Sequence, residues 1–71
     1  MNRINPTKLL NSKWTAVTPV NKEKHFIVSE IEYDDNRGIV SCQIEAVISK
    51  RSIPIVWDAL KDDSTWIQGW K

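Results

Sequence analysis

The chain has 71 residues, enough for one small domain that hides only about 60% of its unfolded surface, which argues against a deep substrate cavity. Its 41% hydrophobic and 27% charged residues are ordinary globular values and exclude wholesale disorder; ten Lys and Arg against nine Asp and Glu give no global pull toward nucleic acid or an anionic membrane. The lone cysteine, Cys42, makes no internal disulfide and points to a reducing, cytoplasmic setting, the first residues lack a signal peptide's apolar core, and no apolar run nears the ~20 residues of a membrane span.

The reading is a single domain over residues 1–71, with residues 1–7 open to fraying. Asn5-Pro6-Thr7-Lys8-Leu9-Leu10 predicts a short turn. Trp14-Thr15-Ala16-Val17 is a β-favouring run, with Trp14 and Ala16 inward and a loop over Thr18–Lys24. His25 to Tyr33 reads as a strand with Ile27, Ile31 and Tyr33 on one face around Ser29, although Phe26 and Val28 make its first half apolar on both sides. Asp34-Asp35-Asn36-Arg37-Gly38 has turn composition, and Gly38 falls where a left-handed residue is commonly needed.

From Val40 to Ile48 every second residue is apolar, the pattern of a strand with one face in the core. Parity then predicts Tyr33 opposite Val40, Ile31 opposite Cys42, Ser29 opposite Ile44 and Ile27 opposite Ala46. A turn at Ser49-Lys50-Arg51-Ser52 leads to a third strand, Ile53 to Trp57, with Ile48 opposite Ile53, Ala46 opposite Ile55 and Ile44 opposite Trp57. Pro54 favours a sheet edge there. The looser register of the first strand sets Ala16 against Ile27 and Trp14 against Ser29. Asp58-Ala59-Leu60-Lys61 predicts a helical turn with Trp57 and Leu60 on one side. A second turn over Thr65-Trp66-Ile67-Gln68 follows, ended by Gly69, with Trp70 folded back.

The expected fold is mainly β: an antiparallel meander of four or five strands, closed by its tail into a small SH3-like barrel or roll, with short helical turns near the carboxy terminus. The alternative is an antiparallel sheet under a carboxy-terminal helix. Trp14 and Trp57 fall on the inward parity as core; Trp66 and Trp70 serve as lid.

Several stretches together resemble a family of small bacterial tryptophan-rich proteins of unknown function. They are Asn5-Pro6, Leu9-Leu10, Ser12 to Val17, Asn21 to Phe26, Glu45-Ala46-Val47, Ser49-Lys50-Arg51, Trp57, Leu60-Lys61-Asp62 and Trp66 to Trp70. The resemblance spans nearly the whole chain; Ser52-Ile53-Pro54 sits where the family is more polar. It implies a bacterial cytoplasmic protein and supplies no activity and no site.

Chemistry has little to work with. One His and one Cys fall short of a four-ligand metal site, and no CxxC or HxxxH spacing occurs, so neither metal nor cofactor is expected. His25 is the only imidazole, and no orienting group or oxyanion loop accompanies it; the reading is not an enzyme. Asp34/Asp35 and Asp62/Asp63 read as turn and cap residues, and two glycines make no phosphate loop.

The register does gather charge. Lys22, Lys24 and His25 start the long strand, and Lys50 and Arg51 lie in the turn expected at the same end. That basic end is the candidate anion or partner site, with Trp66 and Trp70 as aromatic contacts; the plain alternative is that turn lysines serve solubility. The expected function is a non-catalytic cytoplasmic binding module with a protein partner and no membrane. The alternative is RNA or single-stranded nucleic-acid binding through the basic end and exposed Trp.

Overall fold

The computed structural model describes residues 2–36 and 38–71; Arg37, in the predicted turn, and Met1, in the predicted frayed lead, lie outside the described residues. A 3-10 turn, Pro6–Lys8, precedes β1 (Lys13–Val20), β2 (Glu23–Tyr33), β3 (Ile39–Ala46) and β4 (Ser52–Ile55). A second 3-10 turn, Trp57–Lys61, leads to β5 (Trp66–Gln68). The five strands form one antiparallel sheet in the order β4-β3-β2-β1-β5. The fold is thus mainly β, as the alternation predicts, and among the described residues its helical parts are only 3-10 turns.

The core lies on one sheet face and contains Leu9, Trp14, Phe26, Val28, Cys42, Ile44, Ala46 and Leu60. Strand β3 follows its sequence pattern: Cys42, Ile44 and Ala46 are buried. Val40 and Ile48, the ends of the predicted run, are exposed because the covered part of the face stops short of them.

Strand β2 departs from strict alternation. Ile31 pairs with Cys42 as expected, but Val28, not Ser29, faces Ile44, and Phe26, not Ile27, faces Ala46. The register shifts between Val28 and Glu30, a bulge around Ser29 that moves the inward phase from Phe26 and Val28 to Ile31. A second irregularity sets Tyr33 opposite Ile39 rather than Val40. The expected row of Trp14, Ser29, Ile44 and Trp57 therefore gives way to Trp14, Phe26 and Ala46, with Val28, Ile44 and Ile53 beside it. β1 and β2 join through a two-residue turn, Asn21-Lys22, instead of the expected loop over Thr18–Lys24, and a register shift between Thr15 and Val20 then moves Trp14 from Ser29 to Phe26. Both turn residues are left-handed (φ 57° and 64°), the twist that suits a tight hairpin.

The β2–β3 turn holds by a different device from the expected left-handed glycine. Asp34 Oδ1 accepts from the amides of Asn36 (2.9 Å) and Gly38 (2.7 Å). Gly38 is not left-handed; a Cβ there would sit 3.1 Å from Asp34 Oδ2, so close approach is what favours glycine.

Strand β4 keeps the predicted parity but slips by four residues along β3: Ile53 faces Ile44 rather than Ile48, and Ile55 faces Cys42 rather than Ala46. Strand β3 ends at Ala46, and Lys50, at φ 60°, turns the chain before Ser52. Trp57 consequently leaves the sheet and opens the second 3-10 turn, where it packs half-buried against the core while Leu60 is wholly buried.

The tail is the largest revision. Trp66–Gln68 is a strand, not a helical turn: Ala16 pairs with Trp66 and Trp14 with Gln68. Asp62 caps the approach, accepting from Ser64 N (3.0 Å), Ser64 Oγ (2.6 Å) and Thr65 Oγ1 (3.1 Å). Gly69 stops the strand at φ 82°. The amino-terminal segment is tied to this tail. Asn2 N donates to Lys61 O (2.9 Å), and Asn2 Nδ2 donates to Leu60 O (2.9 Å) and Trp66 O (2.8 Å).

Candidate functional site

The two turns expected to carry cations do meet. Val47 N donates to His25 O (2.9 Å), so the start of β2 lies beside the β3–β4 turn. What joins them is Glu23, a carboxylate only 4% exposed. It accepts from Arg51 Nη2, from Arg51 Nε (3.3 Å) and from Ser49 Oγ (2.5 Å). Arg51 is therefore committed to an internal ion pair. Lys22, Lys24 and Lys50 are exposed, and among the described residues none of them enters an ion pair. His25 leaves the group: its Nε2 lies 3.0 Å from Lys71 O, and its ring stands 5.9 Å from that of Trp70.

The Arg51 and Ser49 hydrogen bonds hold the Glu23 carboxyl below the ordinary carboxylate range, against the opposing effect of its burial. Folded Glu23 thus binds a proton less readily than unfolded Glu23. Its stabilisation is present above the ordinary carboxylate pKa and is lost as pH falls through the depressed folded value. Acid unfolding of Glu23→Gln should accordingly show a shallower stability loss below about pH 4 than the parent. Superimposable acid profiles would show that the pair contributes nothing.

The two tail indoles have opposite roles. Trp66 packs against the core, edge-on to Phe26 at 5.2 Å. Trp70 crosses to the other face, where its Nε1 donates to Phe26 O (3.0 Å) and Lys13 Nζ sits 5.0 Å above its ring. Thr15 pins that crossing: its hydroxyl donates to Gly69 O (2.7 Å) and accepts from Lys71 N (2.9 Å). Trp70 remains 44% exposed. Trp57, half-buried, lies under Lys61 Nζ at 4.5 Å.

Between the free edge of β4 and the Thr65–Trp66 side of the tail lies a groove of about 430 Å³. Its apolar lining includes Ala16, Phe26, Ile44, Ile53, Ile55 and Trp66; Glu23 and Arg51 stand at its polar margin with Ser64 and Thr65. The sequence reading missed it for a specific reason. Setting Ile53 opposite Ile48 and making the tail helical left no seam between β4 and the tail. The one available signal was Pro54, which marks β4 as an edge strand.

Among the described residues, no three His, Cys, Asp or Glu side chains gather as a metal-binding group. Cys42 is buried, and desolvation pushes its thiol pKa up, so it packs as a small hydrophobe rather than a thiolate. No helix among the described residues is long and apolar enough to cross a membrane.

Residues 12–71 match the family model described as "Tryptophan-rich protein (DUF2389)". No curated protein and no solved structure matches the chain.

Proposed function

The chain belongs to the DUF2389 tryptophan-rich family, and from that premise we propose that it is a non-catalytic binding module whose groove beside β4 receives apolar side chains of a protein partner. The groove carries this reading. It is lined by apolar side chains from β1, β2, β3, β4 and the tail, and its 430 Å³ falls within the usual size of a binding pocket. A cytoplasmic bacterial setting and an SH3-like kinship of the curled sheet belong to the same proposal.

The nucleic-acid alternative is less well supported by the aromatic geometry. Base stacking needs an open ring face. Trp66, partly buried, packs edge-on to Phe26 against the core, and Trp70 has Lys13 over its ring and its N–H bonded to Phe26 O. The basic end also gives up Arg51 to Glu23.

A photo-crosslinking side chain at Ser64, on the groove margin, and another at Glu32, an exposed β2 position, separate the readings in the native host. Protein adducts from Ser64 but not Glu32 are expected. Adducts to RNA alone, or equal protein labelling from both positions, would reject the groove as the site.

A further inference from the structure

We propose that the occupant of this groove is an extended acidic–aliphatic segment of a partner protein, laid along the free edge of β4. The proposal rests on the groove being the binding site. Its first support is charge. Lys22 and Lys24 flank Glu23 in the chain, and Lys50 precedes Arg51. Arg51 is half-exposed while Glu23 is nearly buried (side chains 56% and 5% exposed), so the one carboxylate in these two turns is paired while Lys22, Lys24 and Lys50 stay exposed. The Asp62 carboxylate, bonded to Ser64 and Thr65, lies at the tail margin of the groove. The two turns that adjoin the Glu23–Arg51 end of the groove therefore carry more exposed cations than carboxylates. A segment presenting aliphatic side chains to the floor and carboxylates to that end is complementary to it.

The second support is the backbone of β4. Arg51 O accepts from Ala46 N (2.9 Å), so the peptide groups of Arg51 and Ile53 face β3, while those of Ser52 and Pro54 face away from it. Ser52 offers a donor and an acceptor on the free edge, and Pro54 offers an acceptor alone. An added strand finds a short, directional ladder there, ended by the missing Pro54 donor. Its alternate side chains would enter the groove beside Ile53 and Ile55. On the other free edge, Asn2 already occupies Trp66 O, so β5 is closed to the same use.

The probe is a fluorescein-labelled octapeptide of alternating Glu and Leu, compared with its Lys-for-Glu counterpart, with decanoate and with mixed RNA. Anisotropy gives affinity, and amide chemical-shift mapping of the full chain gives location. The Glu–Leu peptide should bind in a salt-weakened manner and shift Ser52, Ile53, Ile55 and Trp66. Reversing Lys22, Lys24 and Lys50 to Glu together should weaken it roughly tenfold. The same triple variant should keep the parent's circular dichroism and thermal midpoint, because all three side chains are exposed.

Equal or tighter binding of the Lys–Leu peptide, with the same groove shifts, would overturn the acidic partner yet leave the groove reading standing. So would decanoate binding without peptide binding. Groove shifts that grow with protein concentration alone would make a second copy the occupant and overturn the proposal. Shifts confined to Lys22, Lys24 and Lys50 on adding RNA, with none at Ile53 or Trp66 for any probe, would reject both the proposal and the groove.

Discussion

Trp14→Ala should cost ~3–5 kcal/mol and lower the thermal midpoint by more than ~10 °C, the largest loss expected from a single substitution in this chain. Trp14 is 1% exposed and lies in β1, with Phe26 paired on one side and Gln68 on the other. Removing the indole opens a void where two ladders meet, and a sheet held on both sides cannot collapse to fill it. A domain of this length has roughly 4–10 kcal/mol of stability in all, so the variant should be partly unfolded at 37 °C. Trp14→Phe should retain much of the packing while losing the indole N–H that now donates to Ser12 Oγ at 2.8 Å. Denaturant unfolding of the series measures it. A Trp14→Ala midpoint within experimental error of the parent would show that the indole is not the centre of the core.

Leu60→Ala should cost ~2–5 kcal/mol. Leu60 is fully buried, and it lies in a 3-10 turn whose five residues have little intrinsic stability. The side chain is thus the main anchor of the whole Trp57–Lys61 segment. Its loss should also loosen the amino terminus, because Asn2 bonds to the carbonyls of Leu60 and Lys61. Val56→Ala, at a neighbouring exposed position, should change stability by only ~0.5 kcal/mol or less. Equal effects of the two substitutions would show that the turn is held by its backbone and not by Leu60.

The sequence was most legible where a signal is local and periodic. The alternation around Cys42, Ile44 and Ala46 marked β3 and its buried face. The spacing of Trp57 and Leu60 marked the helical turn, and Asn5-Pro6 the first one. Strand β2 carried its bulge in plain view, as a change from apolar Phe26 and Val28 to apolar Ile31, but a single parity rule cannot represent two phases in one strand. Trp66–Gln68 was unreadable as a strand because three residues have no period of their own; the ladder of β1 makes them one. The basic end was legible as a meeting of turns. The role of Glu23 was not, since nothing local distinguishes a buried carboxylate from a solvated one until Arg51 and Ser49 are beside it.

The placement of β5 beside β1 sets an order of opening. Thr15 and Gly69 are bonded across 54 positions of sequence, whereas β2 and β3 join through a short turn. Ordering the tail restricts a long loop, and only three residues of ladder compensate for it. Local unfolding should therefore begin at the tail, and amide exchange at Ile67 and Gly69 should outpace exchange at Val28 and Ile44. Because Asn2 holds the carbonyls of Leu60 and Trp66, that opening also releases the start of the chain. The two termini fray as one unit, and a β2–β3 hairpin with its β4 flank persists as the slow-exchanging remainder.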